Sequence, residues 1–219
     1  MAQTKEKTSR KIRLPAGRGN YVKLAKPETT KDGRTKYAMT LAIPIGEKYR
    51  GTKDGWKEDP QFAEAIRIVA MVAKEKFGEN WRQLESFKLP FRTWESYDSD
   101  QKAANPHYEG CIMIPMTSYE VQPDCAIIEN GKLVRTDDLQ AFYSGAWFKV
   151  AASPFAYKNE GKGVSMGLSS IVKIKDDTPL STYNDVENDF KDDADLAEYL
   201  NTDNEALFGD SDTKPSDLI

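Results

Sequence analysis

The sequence predicts a mainly β chain with one inserted helix, an α+β class, on three observations. Residues 143–172, YSGAWFKVAASPFAYKNEGKGVSMGLSSIV, alternate large and small side chains over two strand-length runs joined by the polar, glycine-ended KNEG. Two earlier runs, Gly19 to Lys26 and Thr35 to Ile45, read as strands around the turn-rich PETTKDGRTK. A single stretch, residues 59–78, carries a sustained helical pattern.

Composition bounds the function classes. The 219 residues suffice for one large domain or two small ones, with 39% hydrophobic and 30% charged residues. No apolar run approaches the roughly 20 residues that span a bilayer, so no membrane partner is expected. The leading MAQTKEKTSRKIR is basic but lacks the apolar core of a secretory signal. Cys111 and Cys125 form no CxxC and read as free thiols of a reducing cytoplasm. The single histidine, His107, sits beside Pro106 and reads as a loop residue, not a ligand.

Net charge is −4, but it is unevenly placed. Residues 176–219 hold 14 acids and 2 bases, whereas residues 1–36 hold 11 bases and 3 acids. A basic leading segment and an acidic end point to a nucleic-acid partner and a docking tail.

In chain order, residues 1–11 read as a basic flexible arm. The first strand brings Arg13, Arg18, Lys23 and Lys26, and Asp32-Gly33 signals the hairpin turn beside Lys31, Arg34 and Lys36. Tyr37, Met39, Leu41, Ile43 and Ile45 share one face of the second strand. In the helix, Asp59 caps, Pro60 takes the first position, and Phe62, Ile66, Val69, Ala73 and Phe77 form one stripe that Gly78 ends. A short helix near Asn80 to Leu84 carries Trp81 inward, and FKLPF (87–91) reads as a strand. Residues 92–110 read as a loop holding Arg92, Trp94, Tyr97, Lys102 and Tyr108; rings among bases suit nucleobase stacking, and equally suit pinning the loop to the core. GCIMIPMTS and PDCAIIENGKLV are further strands, the second turning at Asn130-Gly131.

In the 143–172 stretch, Phe148, Val150, Ala152, Pro154 and Ala156 are apolar, while Trp147, Lys149, Ser153, Phe155 and Tyr157 mix rings with a cation and a hydroxyl. A face carrying Lys149 is a wet face, and rings beside a cation suit unpaired bases above a phosphate chain. Two registers remain open. An odd loop sets the small Gly163, Ser165, Gly167 and Ser169 beside the rings, as a floor that a ligand backbone can approach. A four-residue loop puts Trp147 and Val164 on one face, making an ordinary core hairpin.

Catalytic signatures are lacking. There is no GxGxxG and no GxxxxGK[ST]. Asp124, Glu129 and Lys132 superficially resemble a metal-dependent nuclease set, but the Glu–Lys spacing is one residue too long for ExK. The lone histidine and isolated cysteines give no nucleophile with an orienting base. No catalytic residue, metal or cofactor is expected, and the chain is not read as an enzyme.

VKLAKPETTKDGRTKYAMTLAIPI resembles the opening of the single-stranded-DNA-binding proteins of tailed bacteriophages. YSGAWFKVAASPFAYKNEGKGVSMGLSSIVKIKDDTPL resembles that family's hairpin, with YSG, an aromatic pair, AY-x-N, GKGV and GL in order. The resemblance spans residues 12–190 and implies an OB-fold-like Greek-key barrel that binds single strands without strong sequence preference, during phage replication or recombination in the host bacterial cytoplasm. It also implies an acidic tail closed by apolar residues that docks replication or recombination proteins. Here that end is DSDTKPSDLI, with Asp210, Asp212, Asp217, Leu218 and Ile219; it departs from the commonest bacterial proline-phenylalanine ending.

The expected organisation is a basic arm over 1–11, a binding domain over 12–182 with helix 59–78 inserted, and an acidic, largely disordered tail over 183–219. Expected stacking residues are Tyr21, Tyr37, Trp94, Tyr97, Trp147, Phe155 and Tyr157. Expected phosphate contacts are Arg13, Arg18, Lys23, Arg34, Lys36 and Lys149. The tail is expected to compete for the DNA groove, and a homodimer is an allowed assembly. The rival readings are a protein–protein adaptor of a replication complex and a Mg²⁺-dependent nuclease.

Overall fold

The computed structural model describes residues 10–50, 54–159 and 161–180. Most of the basic arm and the acidic tail, including Asp210, Asp212, Asp217, Leu218 and Ile219, lie outside them.

Among the described residues there are nine strands. They are β1 Ile12–Arg13, β2 Gly17–Thr29, β3 Thr35–Pro44, β4 Arg92–Thr93, β5 Cys111–Tyr119, β6 Asp124–Glu129, β7 Lys132–Arg135, β8 Trp147–Tyr157 and β9 Gly163–Lys175. Helix α1 spans Ala63–Phe77, and α2 spans Ser99–Ala104. Neighbours run β1-β8-β2-β3-β5-β9-β6-β7, and β8 also pairs with β9. That second pairing closes β2, β3, β5, β9 and β8 into a barrel. Within it β5 and β9 run parallel and the other neighbours antiparallel. This is the five-stranded OB arrangement, whose second and third barrel strands are flanked by the loops between barrel strands one and two and between four and five. Here those strands are β3 and β5, and the loops are residues 30–34 and 158–162.

Alternation along each strand builds the core. Leu41 and Ile43 of β3, Ile112 and Ile114 of β5, and Phe148, Val150 and Ala152 of β8 are buried in one cluster. Helix α1 packs on the same cluster through Ala65, Ile68, Val69, Val72 and Ala73. That stripe is rotated from the expected one, because Ile66 and Phe77 are only half-buried against it. The Asp59 cap is present: its carboxylate accepts from the Gln61 amide, and a 3-10 turn over Pro60–Phe62 precedes the helix. Trp81 is buried as expected, on a 3-10 turn over Glu79–Gln83.

The hairpin register is resolved. Tyr157 pairs with Gly163, Phe155 with Ser165 and Ser153 with Gly167. The loop is therefore the odd, five-residue alternative, residues 158–162, and the small side chains lie beside the rings. A bulge between Ala151 and Ala152 gives β9 one extra residue. Past it the parity of β9 flips, so Ile171 is buried where the simple alternation favours Val172.

Two expectations change. FKLPF is not a strand; Lys88 makes a single parallel bridge to Gly163, and pairing resumes only at Arg92. The stretch 92–110 is more ordered than a loop, because Asp98 and Gln101 form a reciprocal capping box that starts α2. The Asp32-Gly33 hairpin turn is present as expected, within a five-residue connection between Thr29 and Thr35, with Gly33 at φ 82°. The Asn130-Gly131 turn matches expectation: both residues have positive φ, and Glu129 pairs with Lys132 across a two-residue hairpin.

Candidate nucleic-acid interface

The outer barrel surface is a shallow floor of small side chains. Ala38 and Thr40 of β3 pair with Thr117 and Pro115 of β5. Thr117 in turn pairs with Gly167 of β9, and Gly167 with Ser153 of β8. Their opposite-facing neighbours, Met39, Leu41, Met116 and Met166, fill the core, which is why this outer face carries little bulk.

Aromatic residues stand around that floor. Phe155 is 44% exposed, and its ring lies against Gly167. Tyr157 is half-buried one pair further on. Tyr119, 41% exposed, stands at the far end of β5 with the Arg34 guanidinium 4.9 Å from its ring centre. Tyr119 is the residue that the reading of the sequence missed. Its signal was available: it continues the outward alternation Pro115, Thr117, Tyr119.

A third aromatic group borders β2 and β3. Trp94 and Tyr97 pack on a small cluster of Ala42, Tyr108, Cys111 and Met113, with the Lys102 ammonium 5.7 Å from the Trp94 ring centre. Behind them is a buried polar knot. The Asn20 amide, 6% exposed, donates to the Tyr108 hydroxyl at 2.7 Å and lies 3.0 Å from His107 Nε2. Its carbonyl accepts from the Tyr21 backbone amide. Tyr21 itself is 56% exposed at φ 49°, and its hydroxyl donates to Asn105 Oδ1 at 3.3 Å. A positive φ is uncommon for so bulky a residue, and the Asn20 and Asn105 bonds hold it there. Burial, with the Arg18 charge adding to it, pushes the His107 pKa below its usual value.

The cations divide by what already holds them. Lys23 and Lys36 both reach Glu28, at 3.2 and 3.0 Å, and their hydrogen bonds hold the Glu28 carboxyl below its usual pKa. Arg34 pairs with Asp32. Lys149 Nζ donates to the Leu14 carbonyl, and Arg13 is exposed on β1 beside Ala151.

Trp147 and Arg18 belong to a different environment. The Trp147 indole N–H donates to Asp177 Oδ2 at 2.8 Å, and Lys175 Nζ is 4.8 Å from its ring centre. Arg18 donates to the Gly145 and Thr178 carbonyls. Tyr143 donates through its hydroxyl to Asp176. Trp147 shares the odd face of β8 with Phe155 but lies eight residues away, roughly 26 Å along a strand. The single platform expected to run from Trp147 to Gly163 and Ser165 is therefore split. Phe155 and Tyr157 adjoin the small floor, and Trp147 is held at the other end by Lys175, the last residue of β9, and by Asp177 just beyond it.

Two further expectations meet a contrary placement. Tyr37 lies on the inward face of β3 and packs half-buried against the core, because it shares parity with Met39 and Leu41. The close approach at Gly163 is made by the protein itself: a Cβ there would lie 2.3 Å from the Lys88 carbonyl oxygen.

The suspected nuclease residues are otherwise engaged. Asp124 is ion-paired with Arg135, and Glu129 faces Lys132 across the β6–β7 turn. Among the described residues, no group of three or more His, Cys, Asp or Glu is arranged to hold a metal ion, and no helix is long and apolar enough to cross a membrane. Cys111 and Cys125 are buried free thiols, both with pKa pushed up to about 11 by burial.

The sequence model described as Enterobacter phage Enc34, ssDNA-binding protein, matches residues 10–200. Among solved structures, the single-stranded DNA-binding protein from bacteriophage Enc34 in complex with ssDNA matches with a TM-score of 0.59 at 23% identity, over 80% of this chain and 91% of that one. Another structure of the Enc34 protein gives 0.56 at 22%, over 84% and 92%. The single-stranded DNA-binding protein gp2.5 of bacteriophage T7 gives 0.52 at 18%, over 84% and 93%. At these identities the structural likeness shows a shared fold. No curated protein matches the sequence.

Proposed function

We propose that this chain, which belongs to the Enc34 phage ssDNA-binding protein family, binds single-stranded DNA across the outer face of β3, β5, β9 and β8. Its relatives are single-stranded-DNA-binding proteins of phages, and the same role here covers exposed strands during phage replication or recombination. The observation that carries the reading is the small-residue floor of Ala38, Thr40, Pro115, Thr117 and Gly167, bordered by Phe155, Tyr157 and Tyr119. Bases stack on exposed rings without regard to sequence, because every base has a π-face. Lys23, Arg34 and Lys36 at one end and Arg92 at the other take phosphates. For the first three this means exchanging Glu28 or Asp32 for a phosphate oxygen.

The 14 acids of residues 176–219 give the chain a polyanion of its own. The acidic tail competes with DNA for the basic rim, and its end, Asp217, Leu218 and Ile219, docks partner proteins. Residues 1–11 add phosphate contacts as a basic arm.

Titration of a labelled oligo(dT) tests the reading. Tight binding is expected, with log K falling by about 0.7 per log unit of salt for each phosphate neutralised. An adaptor that contacts only proteins shows no such binding, and a nuclease cleaves the oligonucleotide once Mg²⁺ is added.

A further inference from the structure

We infer that the cavity beside the 158–162 loop takes one unpaired nucleobase, edge first, out of a bound single strand. This rests on the single-strand reading above and names a site within it. The cavity is about 230 Å³. Sites for drug-sized ligands are usually about 300–1,000 Å³, so this one suits a single planar ring system and not a whole nucleotide.

Its lining fits a base. Pro90 is buried, and Pro115 and Tyr157 are half-buried, giving flat apolar surfaces. The Ser165 hydroxyl also lines it. A hydroxyl both donates and accepts, so it meets the edge of any base without demanding one in particular. Lys88 and Arg92 complete the lining and are exposed. Among the described residues neither has a carboxylate partner, in contrast to Lys23, Arg34 and Lys36. Among the described residues, a phosphate meets them without displacing an ion pair.

The walls are pre-set. The Lys88 amide donates to the Lys162 carbonyl at 3.0 Å, and the Val164 amide donates to the Lys88 carbonyl at 2.9 Å. These bonds pin the 88–92 segment to the start of β9. Gly163 permits the approach, since a Cβ there would also lie 2.8 Å from the Tyr157 hydroxyl. The neighbouring cross-strand pair is Phe155 with Ser165. A strand crossing this corner places one base on the exposed Phe155 ring and the next in the cavity. Bases in a duplex must unpair and unstack before they can enter, at a cost of a few kcal/mol, so the cavity discriminates single strands from double.

The test uses the full chain carrying Ser165→Cys, a near-isosteric change. The introduced thiol is alkylated with N-ethylmaleimide in the folded protein, where Cys111 and Cys125 are buried. Affinities before and after alkylation are compared on oligo(dT) and on an abasic oligonucleotide of equal length. Alkylation is expected to weaken oligo(dT) binding about tenfold, the value of roughly one lost base contact. Binding of the abasic strand, and the salt slope on both, should stay the same. An equal loss on both strands, or no loss on oligo(dT), overturns the cavity assignment. Failure of the unmodified wild-type chain to bind oligo(dT) overturns the single-strand reading itself.

Discussion

Individual residues divide the stacking candidates more sharply than their chemistry does. Phe155 presents its ring beside Gly167 with no polar group of its own to satisfy. Trp147 already has Lys175 over its ring and Asp177 on its indole N–H. Phe155→Ala is therefore expected to weaken oligo(dT) binding by about 1–3 kcal/mol with the salt slope unchanged. Trp147→Ala should cost less, because a base must first displace Lys175. Equal losses, measured by titration at two salt concentrations, contradict that ranking.

His107 yields a pH dependence. The Asn20 amide lies 3.0 Å from His107 Nε2, a geometry in which neutral imidazole accepts through an unprotonated Nε2. The folded pKa is below the unfolded value of 6.5. As pH falls, the unfolded chain binds the proton first, which favours unfolding. The contribution is complete above about pH 6.5 and declines as pH drops toward the lower folded value. Denaturation at pH 7.5 and 5.5 should show lower stability at 5.5, with the difference shrinking in His107→Gln. An undiminished difference assigns the effect to other groups.

At the scale of elements, the β8–β9 hairpin and the segment that docks on it frame the proposed interface. Gly163→Ala places a Cβ 2.3 Å from the Lys88 carbonyl oxygen, which is backbone and cannot swing aside. The expected result is a destabilisation of about 1–3 kcal/mol in chemical denaturation, with faster amide exchange at Val164, whose amide donates to that carbonyl. An unchanged exchange rate contradicts the docking role. Much of this hairpin was legible: Phe148, Val150 and Ala152 declare the core face by alternation. Its register was not, because KNEG admits both a four- and a five-residue loop. The extra residue of β9 near Ser169 left no mark either, since Ser169 and Ser170 are alike. The role of 87–91 was also hidden, because a segment that makes one bridge looks in composition like a strand.

At the scale of the whole molecule, the barrel order follows from pairings distant in sequence, such as β2 with β8 and β5 with β9. Alternation shows which face of a strand is wet but not which strands are neighbours. That is why Arg18 and Trp147, both expected to meet DNA, turn out to be cross-strand partners at the end of β8 away from Phe155. The charge asymmetry was fully legible and remains the basis for the role proposed for the tail. Deleting residues 181–219 is expected to strengthen oligo(dT) binding at low salt and to change it little at high salt, where screening weakens the competitor. A weaker or unchanged low-salt affinity removes the competition.

Photocrosslinking of an oligonucleotide containing 5-iododeoxyuridine, followed by peptide mapping, tests most directly whether single-stranded DNA runs across the outer face of β3, β5, β9 and β8. The expected crosslinks fall on Phe155, Tyr157 and Tyr119, and a duplex of the same sequence should give few. Crosslinks concentrated at Trp147 and Tyr143, or on the β6–β7 hairpin, would contradict that location.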